Sequence, residues 1–146
     1  MGSFTKEFRR LKSEENERLR LGWDIKRELA KINYKIHTDA IKDNLIPPEI
    51  SVNDAKMIYA SEADVLNKAL FGKTAQEWSK LNPNKKGNMR DYANITQLVV
   101  LANLECLNSE FIKQGLLQEE RLIRLNKAAI SQMKSLIEKT KKLDSK

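Results

Sequence analysis

Apolar residues in this chain recur at the spacing of a helix face, and nowhere with the strict alternation of a strand. The clearest case is at the start. Phe4, Phe8 and Leu11 are spaced four and then three residues apart, and Ile25, Leu29, Ile32 and Ile36 repeat that alternation in the same phase. The positions that connect the two runs are Glu15, Arg18 and Gly22, which are poor core residues. The pattern predicts one long amphipathic helix with a weak middle, or two helices that break near Gly22. So thin a stripe does not hold an isolated helix in water, so another surface must cover it. With 5 Gly and 3 Pro in 146 residues, the chain also lacks the turn residues of an all-β fold.

The remaining elements announce themselves by their ends. Leu45-Ile46-Pro47-Pro48 stops the first helical block, because a residue before proline avoids the helical region. Ser51, three residues before Asp54, predicts the start of a second block that runs to Gly72 as one helix or as two joined near Ser61. Thr74-Ala75-Gln76-Glu77 is a capping box for a short helix through Trp78 and Leu81. Asn82 to Asn88 reads as a loop. A central helix over about 95–114, opened by Asn94-Ile95-Thr96-Gln97 and closed by Gly115, is apolar on more than one face and is therefore buried. A last helix over about 118–140 carries the stripe Leu122, Leu125, Ala129, Met133 and Leu136. The fold class is all-α, a single domain of five or six helices. Its expected division is a helical linker at 1–22, an accessory domain at 23–140 and a frayed basic tail at 141–146.

Charge narrows the function. The net charge of +7 comes from the ends alone: residues 1–35 carry 10 basic and 6 acidic side chains, residues 134–146 carry 5 and 2, and residues 36–133 are balanced. A nucleic-acid reader usually shows its basic face on the folded body. Solvated helix faces are the plainer account of these ends. Phosphate contact would fall to Arg9, Arg10, Lys12, Arg18, Arg20, Lys26 and Arg27, and to Lys85, Lys86 and Arg90 around the loop. No run is apolar or long enough to cross a membrane, and no secretory signal opens the chain. One cysteine, Cys106, allows no internal disulfide, so the chain reads as intracellular.

No catalytic constellation stands out. Gly72-Lys73-Thr74 imitates the end of a phosphate-binding loop, but Asn67 stands where the first glycine belongs and helix precedes it. A single His37 and a single Cys106 cannot make a zinc site unaided. Cys106, inside the most apolar helix, is expected to be buried and inert, and His37 to lie on a polar helix surface or interface. Lys80, Lys85, Lys86 and Arg90 around the loop read first as an exposed loop with the usual lysines, with Arg90 pairing internally with a carboxylate as the alternative. Trp23 and Trp78 suit core or interface anchors better than stacking platforms for bases. The reading is of a chain that is no enzyme, with no cofactor and no metal.

Several blocks together carry a resemblance. They are Tyr34-Lys35-Ile36-His37-Thr38-Asp39-Ala40-Ile41-Lys42, Leu45-Ile46-Pro47-Pro48, Tyr59-Ala60-Ser61-Glu62-Ala63-Asp64-Val65-Leu66-Asn67, Gly72-Lys73-Thr74-Ala75-Gln76-Glu77-Trp78, Lys86-Gly87-Asn88-Met89-Arg90-Asp91-Tyr92 and Leu101-Ala102-Asn103-Leu104-Glu105. Over about residues 6–137 the chain resembles the C-terminal accessory region of bacterial and phage KilA-N domain proteins. The resemblance implies a regulator of phage or mobile-element type, often antirepressor-like, and so a cytoplasmic setting in a bacterial cell. It also implies that DNA is bound by a module N-terminal to this region and absent here, so that this is the accessory region cut from a longer protein or a free-standing relative. It carries over no catalytic residue.

Three functions follow as expectations. The first is oligomerisation or partner binding, with a dimer favoured and Phe8, Leu11, Trp23, Ile25, Leu29 and Ile32 at the interface. The second is direct non-specific nucleic-acid binding by the basic terminal helices. The third is a stand-alone phage effector that binds a host protein.

Overall fold

A computed structural model describes the backbone of residues 2–144, with side chains apart from those of 2–4, 23, 26 and 140–144. Five α-helices and one 3-10 turn follow in order: α1 (Gly2–Leu45), α2 (Val52–Phe71), α3 (Ala75–Leu81), the turn Met89–Tyr92, α4 (Ile95–Lys113) and α5 (Gln118–Asp144). Among the described residues there is no strand. α1 is unbroken at Gly22, and α2 is unbroken at Ser61. α5 continues to Asp144; residues 145 and 146 of the expected basic tail lie outside the described residues.

The helix ends are set by local chemistry. Ser51 Oγ accepts from the Asp54 amide, and Thr74, Asn88 and Asn94 each close a full capping box with Glu77, Asp91 and Gln97. α4 ends in a Schellman motif. The Leu116 amide donates to the Phe111 carbonyl at 3.1 Å and the Gly115 amide to Ile112 at 3.0 Å, with Gly115 at φ 80°. The 3-10 turn was not foreseen. Gly87 permits it, because a Cβ there would stand 2.5 Å from the Asp91 carboxylate that caps Asn88.

The chain divides into two compact units, residues 1–32 and 33–146. The first unit is a single stretch of helix. In the second, α2, α4 and α5 pack on one another around Leu66, Val100, Leu104, Leu125 and Ala129. The stripe read on α5 contributes through Leu122, Met133 and Leu136, and Leu107 and Phe111 of α4 also lean against that core. Ala40 and Ile41 of α1 form a second cluster with Ile112, flanked by Ile58 and Tyr59. Trp78 is buried and its ring lies 5.3 Å from that of Tyr92, which ties α3 to the 3-10 turn.

Leu104 is completely buried at the centre of this core. Leu104→Ala should cost about 2–5 kcal/mol of stability, measured by urea unfolding followed by far-ultraviolet circular dichroism.

Candidate functional site

Two features stand out, one in each unit. The first is the stripe on α1. Phe8, Leu11, Ile25, Leu29 and Ile32 are all more than half exposed, as are Leu19 and Leu21 beside them. Within residues 1–32 a lone helix offers nothing to cover them. The structure thus leaves five of the expected interface residues on the surface of one face. The side chains of Trp23 and Lys26 lie outside the described residues.

The basic residues are spread more widely. Arg9, Arg10, Lys12, Arg18, Arg20 and Arg27 are exposed, with Arg10 near Glu7 at 3.7 Å and Arg27 paired with Asp24. Arg9, Arg20 and Arg27 fall on the face opposite the stripe, whereas Arg18 falls within it. Lys85 and Lys86 are exposed on the loop, and the Lys85 ammonium sits 5.0 Å over the Tyr92 ring. Arg90 is half-buried and belongs to the second feature.

That feature is a polar network inside the helical body. Glu62 of α2 and Arg121 of α5 form a buried two-pronged ion pair, at 2.6 and 2.8 Å. Arg121 also donates to the Leu116 carbonyl at 3.1 Å and to Asn108 Oδ1 at 3.1 Å. Arginine has only donors, so the Asn108 oxygen must face it, and the amide nitrogen is left facing His37 Nε2 at 2.9 Å. That ring nitrogen therefore accepts, and His37 is held as the neutral Nδ1–H form. Burial lowers its pKa to about 4, with Arg90 and Arg121 acting in the same direction against the attraction of Glu62. Burial pushes the Glu62 carboxyl up, but Arg121, Gln118 and Asn108 outweigh this and hold it below its ordinary value.

Beside the network lies a cavity of about 340 Å³, lined among others by Tyr59, Ile41 and Leu66 and by His37, Arg90 and Glu105. Arg90 Nε donates to Asn67 Oδ1 at 3.4 Å, and among the described residues no carboxylate forms an ion pair with it within 4.0 Å. Glu105 is buried, and among the described residues its Oε2 has no hydrogen-bond partner. Burial pushes that carboxyl up to about 7, with Arg90 opposing the shift.

Two further expectations are corrected. His37 is buried at 4% exposure, because it faces Asn108 across the core. Cys106 is exposed, because it stands on the outer face of α4 while Glu105, Asn108 and Ser109 take the inner one. Sequence reasoning also missed Glu62, Asn108 and Arg121. Their apolar surroundings carried the helical period, and nothing local marks a polar residue as paired across 59 positions. Among the described residues no group of acidic, histidine and cysteine side chains could hold a metal ion, and no helix is long and apolar enough to cross a membrane. No family model, curated protein or solved structure matches the chain.

Glu105 and His37 tilt stability in opposite directions with pH. Glu105 binds its proton more tightly folded than unfolded, so its contribution is complete below about 4.5 and is lost as pH rises through about 7. His37 binds its proton less tightly folded, so its contribution is complete above 6.5 and is lost as pH falls toward about 4. Glu105→Gln removes the first effect and keeps the second. The variant should gain on the wild type by up to about 3 kcal/mol between acidic and mildly alkaline pH, as read from urea unfolding in a buffer series.

Proposed function

We propose that this chain is a non-enzymatic self-association module that pairs through its N-terminal helix, the accessory region of a DNA-binding regulator of phage or mobile-element type. The observation that carries the reading is the exposed heptad stripe of Phe8, Leu11, Ile25, Leu29 and Ile32. An apolar seam at that spacing suits knobs-into-holes packing against a like helix. The resemblance of residues 6–137 to the accessory region of KilA-N domain proteins supports the regulatory setting, in which a two-fold pair would match paired half-sites on DNA.

The polar middle of the seam favours an antiparallel pair. When Glu15 faces Arg18 of the partner subunit, the same register sets Phe8 against Ile25 of the partner subunit and spans the first unit from end to end. A parallel pair would instead place Glu15 against its own copy and Arg18 against its own copy. Like charges desolvated in a seam cost more than any pairing at the exposed rim returns.

Sedimentation equilibrium should show a dimer that dissociates on dilution. Ile25→Lys with Leu29→Lys should weaken it by more than about a hundredfold while the helical body stays folded. A wild-type chain that stays monomeric at every concentration would sink the proposal.

The basic face of α1 supports a second reading, in which Arg9, Arg20 and Arg27 hold phosphates on the side away from the seam. Contact with about six phosphates would give a slope near −5 for log affinity against log salt. Fluorescence anisotropy with random-sequence duplex DNA measures it, and a flat response would assign DNA contact to another part of the regulator.

A further inference from the structure

The cavity between α1, α2, α4 and the 3-10 turn is lined by an arginine and a glutamate that form no ion pair. Arg90 and Glu105 both line it, yet no ion pair within 4.0 Å joins them. Apart from the Nε contact with Asn67, the Arg90 guanidinium donates to no described residue. Glu105 is 6% exposed and its Oε2 is buried without a partner, which is an expensive state for a carboxyl group. Folding alone gives no reason for it, since Met would fill the space on α4 without the penalty. The other walls are mostly apolar or aromatic, with Ile41, Leu66, Met89 and Tyr59 among them. His37 adds no charge, because its Nε2 is committed to Asn108.

We propose that this cavity binds a free α-amino acid with an apolar side chain, its ammonium group on Glu105 and its carboxylate on Arg90. A simple cation would meet Glu105 but also feel Arg90, and a simple anion would meet the reverse conflict. A zwitterion satisfies both groups at once, and its apolar body suits the remaining walls. The guanidinium is the natural fork for a carboxylate, and the buried Glu105 gains the donor it lacks. Because Glu105 titrates near neutrality, an ammonium ligand favours its ionised form and binding releases a proton. The site lies wholly in residues 33–146 and does not depend on self-association.

The test is a titration of the isotope-labelled full chain with each of the standard L-amino acids, followed by amide chemical shifts. At least one apolar amino acid should give saturable shifts at residues around His37, Asn67, Arg90 and Glu105. Its deaminated acid and its decarboxylated amine should each bind about tenfold or more weakly. Glu105→Gln should weaken the amino acid by about ten- to a hundredfold and leave the deaminated acid unchanged. Two results overturn the proposal: no saturable shifts at this cavity from any amino acid at millimolar concentration, or equal loss of both ligands in E105Q. Should E105Q fail to fold, the wild type decides alone, since equal affinity for the amino acid and its deaminated acid removes any role for Glu105.

Discussion

The helical body depends on one buried ion pair. Arg121 of α5 grips Glu62 of α2 with two nitrogens and reaches Asn108 of α4, which in turn fixes His37 of α1. Four helices thus share one chain of hydrogen bonds in a volume otherwise filled by aliphatic side chains. Such a pair is weak evidence for stability, because two charges must be stripped of water. Its value lies in directionality. Leucine and valine contacts tolerate sliding, whereas a two-pronged guanidinium tolerates little, so the network sets the register in which α2, α4 and α5 pack.

The cavity lies beside this network and shares His37 with it. Asn108 holds the His37 ring against α4, and Asn67 holds Arg90 at the other wall. Glu105 sits one helical turn before Asn108 and Ser109, on the inner face of α4, and is left without the partner that Glu62 has. The two buried carboxylates therefore differ in kind. Glu62 is neutralised by arginine and is structural. Among the described residues Glu105 Oε2 has no hydrogen-bond partner, and a buried acid of that kind is where ligand chemistry is sought.

The first unit follows another logic. Its stripe is apolar and its outer face carries basic residues, but its middle layer is Glu15, Arg18 and Gly22. A continuous aliphatic seam would pair in several registers and orientations. In the proposed pairing, charged residues at those layers would cost stability and penalise most alternatives.

Much of the fold was legible because helix boundaries are local events. Ser51, Thr74, Asn94 and Gly115 mark ends through hydrogen bonds that reach only a few residues, and the apolar period marks each inward face. The unbroken α1 followed less directly, since Gly22 weakens a helix without having to break it. The 3-10 turn escaped notice because it needs Gly87 at φ 90° against the Asp91 carboxylate, a geometry no periodicity encodes. Cys106 was misplaced for a related reason: α4 is apolar nearly all round, so its sequence does not say which side meets solvent.

By itself the sequence determined the fold class, the order and caps of the helices, the exposed-or-covered problem of the α1 stripe and the confinement of excess charge to the two ends. Tertiary structure alone decided the partnership of Glu62 with Arg121, the burial and neutral form of His37, and the meeting of Arg90 and Glu105 at one cavity. The physical reason is range. Capping and amphipathic spacing act between residues a turn apart, whereas the polar contacts join side chains 59 and 71 positions apart, and only packing brings those together.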